Sequence, residues 1–540
     1  MYVEAIKTRR NNKIYLTTLI RETFREKGKI KHRTLANISK LPASVIEQIK
    51  DALSGKERVA IDELCIHQSK EFGCSFAFSE LARDIGLDNI IYSRTLPWRK
   101  NAMAMIVGRI VWQGSKLRLT NIYKDSSLWE IYGHDPESQP DVQKACYDVM
   151  DKLLTRQKAI QKRLSNQHLD DGCLVLYDIT NTWLEGEYAN SELAAYGLGK
   201  GGKRGYKQIA IGLITNREGC PVAIDVFRGN ISDQSTVWGE AKKLAADFGV
   251  SNVVLAGDRG MLTPKRIKEV EKIGFKTLTA LTHPQMNKVL EKCKIEPGLF
   301  DEKQVIEIID TENNELRYML CKNPETARRA TATRLSLIDA VTHRLNDIAK
   351  TKRKRETQKV CSRVGKVFAK YKIEKFFDWN VDEVGRLTFS LKQHIIDAEQ
   401  ALDGCYVIRA DVSRDILNKD EVVAGYMALR HVENAFRNLK TVALEMRPVY
   451  HKTDDRIRAH VFLCFLSYYL LWHAQQRLKP LFENNQSGNN RRWTFDLVIE
   501  RLKSIKKEQV TLRDVVVKII HTTPDAEQNK ILSLLGVKMP

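Results

Sequence analysis

The 540-residue sequence lacks the patterns that mark several common protein classes. Its ten cysteines are scattered, with no CxxC pair and no Cys/His group at zinc-finger spacing, which argues against a disulfide framework and against a zinc site. This distribution favours reduced, mostly buried thiols in a cytosolic protein. We see no signal peptide in the basic segment after Met1, and no internal repeat.

Long apolar runs are also lacking. The longest, 461-VFLCFLSYYLLWHA-474, is shorter than the ~20 residues needed to cross a bilayer, so we predict a buried helix and no membrane partner. The glycine-rich loop 197-GLGKGGKRGYK-207 lacks the GxxxxGK[ST] order of a nucleotide-binding loop. Its cations Lys203 and Arg204 are candidate DNA contacts instead, and a flexible surface loop is the alternative.

Positive charge is what the sequence has in excess. Lys and Arg total 88 against 67 Asp and Glu, a net charge of +21, which favours a polyanionic partner, with nucleic acid ahead of an anionic membrane. A cationic stripe at helical spacing runs from Lys352 to Lys370 and includes Lys359, Arg363 and Lys366. We interpret these three side chains as DNA phosphate contacts, and a solvated helix face is the alternative.

The order of predicted elements indicates a multidomain α/β protein with a mainly helical N-terminal region. From residue 172 the pattern reads β-β-β-α-β-α-β, which predicts a mixed sheet that begins with an antiparallel hairpin and gains parallel strands through helical crossovers. Hairpin and helix signals between residues 285 and 415 interrupt this rhythm and indicate an inserted α+β domain. The remaining residues read as helical, with a polar break at 484-NNQSGNNRR-492.

Two apolar strand patterns each end in a carboxylate, 174-LVLYDITNT-182 at Asp178 and 252-NVVLAGDRG-260 at Asp258. Neighbouring strands would place both carboxylates at one sheet edge, where their repulsion is costly unless a cation lies between them. Oxygen ligands without nearby His or Cys suit Mg²⁺ or Mn²⁺. For either aspartate alone, a helix N-cap or a turn is the alternative.

A third carboxylate is expected from a helix that packs on this sheet. In 421-EVVAGYMALRHVENAFRNLK-440, one helical stripe presents a phenol, a carboxylate and three cations: Tyr426, Arg430, Glu433, Arg437 and Lys440. The alternative is a solvated face with intrahelical ion pairs. Together, Asp178, Asp258 and Glu433 predict a site for two divalent ions that flank a phosphodiester. Tyr426 and the three cations would position the neighbouring phosphates.

At this point the residues resemble a known family, the insertion-sequence DDE transposases with an RNase H-like catalytic domain. The resemblance is to the branch with a large insertion and a Tyr-Arg-Glu-Lys signature, and it includes 177-YDIT-180, 229-GNISDQST-236, 257-GDRG-260 and 447-RPVYHKTDDRIRAHVFLCFLSYYLL-471. Tyr426, Glu433 and Lys440 match the spacing of the signature. The chain departs from it at the arginine, because Leu429 occupies that position and Arg430 follows it.

The resemblance implies an RNase H-like mixed sheet, flanked by helices and interrupted by an insertion. It implies metal-dependent hydrolysis at transposon ends, followed by attack of the freed 3′-OH on a second phosphodiester, in cut-and-paste transposition. The partners it implies are double-stranded transposon ends and target DNA, which a homodimer would bind. It also implies that the protein acts in the bacterial cytoplasm, associated with the nucleoid. His451 and His460, in the last of these motifs, are expected to be structural or to contact DNA, not to bind metal.

These considerations predict five regions. They are a basic β/α segment at 1–60, a helical DNA-end-binding domain at 61–168, a catalytic domain at 169–285 plus 416–480, an insertion domain at 286–415, and a helical C-terminal region at 481–540 that is a candidate for dimerisation.

Other functions remain open from the residues. The sequence 178-DITNT-182 also fits the phosphorylated-aspartate loop of ion-pump ATPases, although 257-GDRGML-262 lacks the Asn-Asp expected there. An RNase H-like nuclease or resolvase would cut DNA without joining it. A transposase-derived DNA-binding protein would do neither.

Overall fold

The computed structural model describes all of the chain except residues 11–12, 57–63, 198–204, 297, 299, 301–303, 311, 351–355, 484–492 and 513–514. It divides into two compact units, Met1–Phe72 with Ile505–Pro524, and Gly73–Ser504 with Asp525–Pro540. Over the described residues, no helix has the length and apolar character required to traverse a membrane.

The smaller unit is built from both ends of the chain. Its N-terminal elements are β1 (Tyr2–Arg10), β2 (Lys13–Glu26), β3 (Lys29–Asn37), α1 (Ala43–Leu53) and β4 (Leu64–Glu71). The first three strands form an antiparallel sheet. Strand β4 belongs to a second sheet, in which it pairs with residues 506–512 near the C-terminus.

The helical stretch of the larger unit begins at residue 73, later than the predicted start at 61. It contains α2 (Gly73–Asp84), α3 (Leu87–Ile91), α4 (Pro97–Val111), α5 (Lys116–Asn121), α6 (Leu128–Ile131) and α7 (Asp148–His168), with short 3₁₀ and π turns at Ile122–Lys124 and Gln143–Tyr147. Helix α4 is buried along most of its length, which explains its nearly continuous apolar sequence.

A mixed sheet of nine strands is the centre of the larger unit. The part that the sequence predicted first consists of β5 (Leu174–Trp183), β6 (Ala195–Tyr196), β7 (Lys207–Asn216), β8 (Pro221–Arg228), α8 (Asp233–Lys242, continued by a π turn at Lys243–Phe248), β9 (Val254–Ala256), α9 (Pro264–Glu271) and β10 (Lys276–Ala280). Strands β5, β7 and β8 are antiparallel, whereas β9 and β10 run parallel to β5. This topology is the RNase H-like mixed sheet that the resemblance implied.

The predicted insertion contributes to the same sheet. It consists of α10 (His283–Lys292), β11 (Ile306–Ile309), β12 (Arg317–Lys322), α11 (Pro324–Ala349), α12 (Thr357–Tyr371), a 3₁₀ turn (Glu374–Phe376), β13 (Phe377–Val381), β14 (Leu387–Leu391), α13 (Gln393–Ala401) and β15 (Cys405–Ala410). Strands β11, β12 and β15 extend the sheet beyond β10. Helices α11 to α13 and the β13–β14 hairpin share a hydrophobic cluster of their own.

The chain then returns to the sheet through α14 (Lys419–Met427), α15 (Leu429–Arg437) and a π turn (Asn438–Val442). The predicted single helix at 421–440 is therefore interrupted at Ala428. Helix α16 (Asp454–Glu483) contains the long apolar run and is buried through its middle, as predicted.

The C-terminal region is only partly helical. Helices α17 (Phe495–Lys503) and α18 (Ala526–Leu535) flank two antiparallel strands, β16 (Lys506–Leu512) and β17 (Val515–His521). The prediction of a wholly helical region at 481–540 was wrong, because 515-VVVKIIH-521 is rich in the β-branched residues that favour strands. The predicted break at 484–492 lies outside the described residues.

The close approach of Gly229 to the neighbouring strand gives a prediction about stability. A Cβ atom on Gly229 would lie 1.8 Å from the backbone oxygen of Gln208 in β7, a clash that no side-chain rotation relieves. We expect G229A to lower the free energy of unfolding by about 3 kcal/mol, measured by chemical denaturation. The matched control is G239A, where a Cβ meets nothing within 4 Å inside α8, and it should raise stability by about 0.5–1 kcal/mol. Equal effects of the two substitutions would contradict the packing described here.

Candidate active site

The strand register places the two aspartates side by side. In the parallel pairing of β5 with β9, Leu176 lies opposite Ala256. Asp178 and Asp258 each follow two residues later, Asp178 within β5 and Asp258 just past the end of β9, so both lie at the same edge of neighbouring strands that are ~4.8 Å apart. The sequence pattern predicted that strand β5 ends at Asp178, and that prediction was wrong. The strand continues to Trp183, because β7 supplies hydrogen-bond partners beyond the end of β9.

Asp178 is half-buried, and its environment opposes ionisation. Its Oδ1 accepts a hydrogen bond of 2.8 Å from the backbone N–H of Ile179. Burial nevertheless raises the pKa of Asp178, the negative charges of Asp258, Glu433 and Asp233 add smaller increases, and together they bring it from 3.8 to about 7. The three predicted carboxylates are thus close enough to repel one another.

Asp258 is exposed and begins a turn. Its backbone carbonyl accepts hydrogen bonds from the N–H groups of Met261 (2.9 Å) and Leu262 (3.1 Å). The turn considered as an alternative from the sequence is therefore present. It leaves the side chain at the sheet edge, where only a 3.4 Å contact from the Gly260 N–H to Oδ2 is seen among the described residues.

Glu433 reaches the sheet edge from α15. The buried residues Val432, Ala435 and Phe436 hold one side of this helix against the protein, and Glu433 is exposed. The preceding helix α14 also lies close to the sheet, since a Cβ on Gly425 would be 2.8 Å from Leu174 Cδ2 in β5. Small residues at this contact allow the helix to approach the strands that carry the aspartates.

Tyr426 and Lys440 lie beside the carboxylates. Burial raises the pKa of Tyr426, as does the charge of Asp258. The ammonium group of Lys440 donates hydrogen bonds to Thr180 Oγ1 and, at 2.9 Å, to the backbone oxygen of Asn181. Burial lowers the pKa of Lys440 to about 8, as does the nearby Arg447, whereas the charge of Asp178 opposes this shift. A cation therefore lies next to the strand segment that presents Asp178.

The other predicted contacts are distributed differently. Arg430 and Arg437 are exposed on α15, on the helix that carries Glu433. The predicted cationic stripe is exposed at Lys359, Arg363 and Lys366 on α12. The other face of this helix packs into the separate hydrophobic cluster of the predicted insertion. Lys203 and Arg204, with part of the stripe at 352–355, lie outside the described residues.

Several residues near the site were not singled out from the sequence. Arg447 lies over the ring of Trp183 at 3.8 Å, at the end of β5. Asp233, inside the quoted motif 229-GNISDQST-236, acts electrostatically on Asp178. A cation–aromatic pair between residues 264 positions apart leaves no periodic signal in a sequence. Asp233 could have been found, because it lies in a motif that the resemblance includes.

A cationic cavity of about 560 Å³ adjoins Arg447. Arg109, Lys116, His451 and His460 line it, and Glu445 is the one acidic residue along its described lining. Arg109 and Lys116 are 7% and 8% exposed. Lys116 Nζ lies 2.7 Å from His460 Nδ1, and burial lowers the pKa of Lys116 to about 8. Within the described part of the chain no carboxylate pairs with either cation, and two such buried cations favour an anionic ligand.

A second cavity, of about 470 Å³, lies beside Asp258. Its walls come from the catalytic part of the chain at Arg259 and Tyr426, and from the insertion at Asn323, Asp403 and Tyr406. The insertion therefore shapes the space next to one of the candidate metal ligands.

The donor set fits a divalent cation. The charges of Asp258 and Glu433 raise the pKa of Asp178, so the three carboxylates lie close together. With no His or Cys among them, they provide the hard oxygen ligands that Mg²⁺ and Mn²⁺ prefer. Asp178, Asp258 and Glu433 are the residues that would hold the metal.

Comparison with known families identifies the class of protein. Residues 185–470, more than half of the chain, match the model of the transposase DDE domain. The chain therefore belongs to the DDE transposases. Residues 3–63 match the N-terminal domain of the IS1634 family transposases, so the expectation of an insertion-sequence DDE transposase is confirmed. The protein is a DNA transposase, and its DDE domain implies dependence on a divalent metal.

Similarity to solved structures and to curated proteins is low. One solved structure with partial similarity is the cryo-EM structure of a piggyBac transposase synaptic complex with hairpin DNA, with 7% identity and a TM-score of 0.36 over 80% of this chain and 79% of that one. No curated protein matches the chain.

The raised pKa of Asp178 predicts a pH-dependent change in stability. The folded pKa is about 7 against an ordinary value of 3.8, so the unfolded chain ionises first and the folded state becomes less stable as pH rises between these values. In EDTA at pH 8, D178N should therefore be more stable than the wild type, on the order of 2 kcal/mol, with little difference at pH 4. Thermal unfolding at both pH values measures this.

The matched control is D415N, because Asp415 is exposed. It should leave stability unchanged at both pH values. A D178N protein that is less stable than the wild type at pH 8 would show that burial and the neighbouring charges do not destabilise ionised Asp178.

Proposed function

We propose that the chain performs cut-and-paste transposition through two divalent ions held by Asp178, Asp258 and Glu433. The observation that carries the proposal is that Asp178 and Asp258 each stand two residues beyond the paired Leu176 and Ala256 of parallel strands, with Glu433 close enough to raise the pKa of Asp178. Mutual repulsion of this kind is relieved by cations between the carboxylates.

The chemistry fits phosphodiester hydrolysis and strand transfer. Two ions at such a site would activate an attacking water or 3′-hydroxyl and stabilise the leaving oxygen. The carboxylates would fix the ions beside the reacting phosphate, and Asp178 must lose its proton to take part. Lys440 holds Thr180 and Asn181, so it supports the strand segment next to Asp178. Positioning and electrostatic stabilisation account for most of the rate in this type of reaction.

DNA contacts complete the proposal. Arg430 and Arg437, exposed on the helix of Glu433, are suited to phosphates near the scissile bond. Tyr426, beside Asp258, would contact a neighbouring phosphate. The stripe of Lys359, Arg363 and Lys366 on α12 would contact DNA further along. Lys203 and Arg204 would also contact DNA.

The larger assembly is part of the same proposal. A homodimer would hold two transposon ends, with residues 61–168 for end binding, 169–285 and 416–480 for catalysis, 286–415 as the insertion and 481–540 for dimer contacts. Its site of action would be the nucleoid of a bacterial cytoplasm. The support is the family of the chain and its net charge of +21.

Substitution of Glu433 tests the catalytic assignment. E433Q keeps the shape of the side chain and removes its charge, so nicking and joining of transposon-end DNA in Mg²⁺ should both fall by at least about 100-fold. Directed cleavage by bound Fe²⁺ gives a readout independent of activity: the wild type should be cut near residues 178, 258 and 433, and E433Q should be cut less at all three.

The matched control is E500Q, at an exposed glutamate on α17. It should behave as the wild type in both assays. Wild-type-like activity of E433Q would remove Glu433 from the site. Wild-type protein that nicks DNA and never joins it would favour the nuclease alternative.

The cationic cavity gives a separate prediction about DNA binding. If Lys116 meets a backbone phosphate, K116M should weaken binding to DNA about 3–10-fold and reduce the dependence of log K on log salt by ~0.9. The same substitution should raise the melting temperature of the DNA-free protein, because it replaces a buried cation with an apolar side chain of similar length.

A purely structural role for Lys116 would not produce this combination of weaker binding and higher stability. K530M, at an exposed lysine on α18, is the control for loss of charge alone. Unchanged DNA affinity of K116M would show that the cavity does not contact DNA.

A further inference from the structure

Three side chains with metal-binding atoms, none of them among the predicted carboxylate ligands, meet on the larger unit. They are His168 at the end of α7, Cys220 just before β8, and His473 in α16. One ligand atom from each lies within 4.8 Å of the other two. Because these residues are far apart in the sequence, no linear spacing reveals them, and the sequence had argued against a zinc site.

The chemistry of this group differs from that of the carboxylates. A thiolate and two imidazoles form a borderline-soft ligand set, which suits Zn²⁺ and does not suit Mg²⁺. Three protein ligands leave the fourth tetrahedral position for a water molecule. The site would therefore select a different metal from the one at Asp178.

An unsatisfied nitrogen points to the same conclusion. Nε2 of His473 is buried and has no hydrogen-bond partner among the described residues. A buried ring nitrogen without a partner is costly, and a metal ion would satisfy it.

The rings are also held in place. Tyr469 packs edge-on against His473 at 4.7 Å between ring centroids, and its hydroxyl lies 2.9 Å from His168 Nε2. A hydrogen bond to one ring nitrogen is the arrangement that orients metal-ligating histidines through their other nitrogen.

We propose that His168, Cys220 and His473 bind one Zn²⁺ ion with a structural role. The ion would tie the turn between β7 and β8 to α7 and α16. This turn also supports the catalytic region, because a Cβ on Gly219 would lie 2.7 Å from the Cβ of His431, two residues before Glu433. The site thus stabilises the surface on which α15 rests and takes no part in the reaction.

The test uses the full-length chain, stripped of metal and then titrated with Co²⁺ as a spectroscopic probe. Coordination by Cys220 should produce a thiolate-to-cobalt charge-transfer band that saturates at about one equivalent, and Zn²⁺ should abolish it. Ions bound by carboxylates give no such band. Zn²⁺ should also raise the melting temperature of the stripped protein by several degrees.

Two variants and a control assign the ligands. C220S and H473Q should lose the band and the thermal shift, whereas C321S, at a buried cysteine in β12, should keep both. The absence of a charge-transfer band in the folded wild type would overturn the proposal, even if C220S failed to fold. So would a band that persists in C220S and H473Q. Activity of the carboxylate site is not part of this readout, so the test stands apart from that of E433Q.

Discussion

Repulsion among three carboxylates is the constraint on which the rest of the larger unit depends. The parallel register of β5 and β9 brings Asp178 and Asp258 to the same height, and α15 adds Glu433. Burial of Asp178, together with the charges of its neighbours, opposes folding when Asp178 is ionised, as its raised pKa indicates. The surrounding structure must therefore hold the three carboxylates together. Buried β5, the close contact at Gly425 and the buried side of α15 all serve this purpose.

The predicted insertion leaves the sheet after Asp258 and returns the chain to it before Glu433. Between Asp258 and Glu433 the chain leaves the sheet, forms a separate helical cluster and returns. It does so without separating the two carboxylates, because β15 runs antiparallel beside β10 and ends close to the start of α14. Strands β12 and β11 then extend the sheet on the far side of β15. The large gap in sequence thus closes within one continuous sheet, and part of the insertion lines the cavity next to Asp258.

Local patterns predicted much of this arrangement, and long-range pairing accounts for what they missed. The strands that carry Asp178 and Asp258 have apolar runs that can be read directly, and the helix of Glu433 has a clear apolar stripe. The interruption at Ala428 was not predicted, because no Gly or Pro marks it. Nor was the extension of β5 past Asp178, which depends on β7. The buried pair of Lys116 and His460 joins residues 344 positions apart, and local sequence patterns cannot predict such a contact.

The pairing of β4 with β16 has a consequence for the order of synthesis. Because β4 (Leu64–Glu71) is synthesised long before β16 (Lys506–Leu512), their sheet cannot form until residue 512 has left the ribosome. During most of translation β4 is an unpaired edge with exposed Leu64 and Ile66, the kind of strand that invites contacts with other nascent chains. A protein truncated before residue 506 would leave β4 without its partner strand β16. Formation of this sheet thus reports that synthesis has passed residue 512.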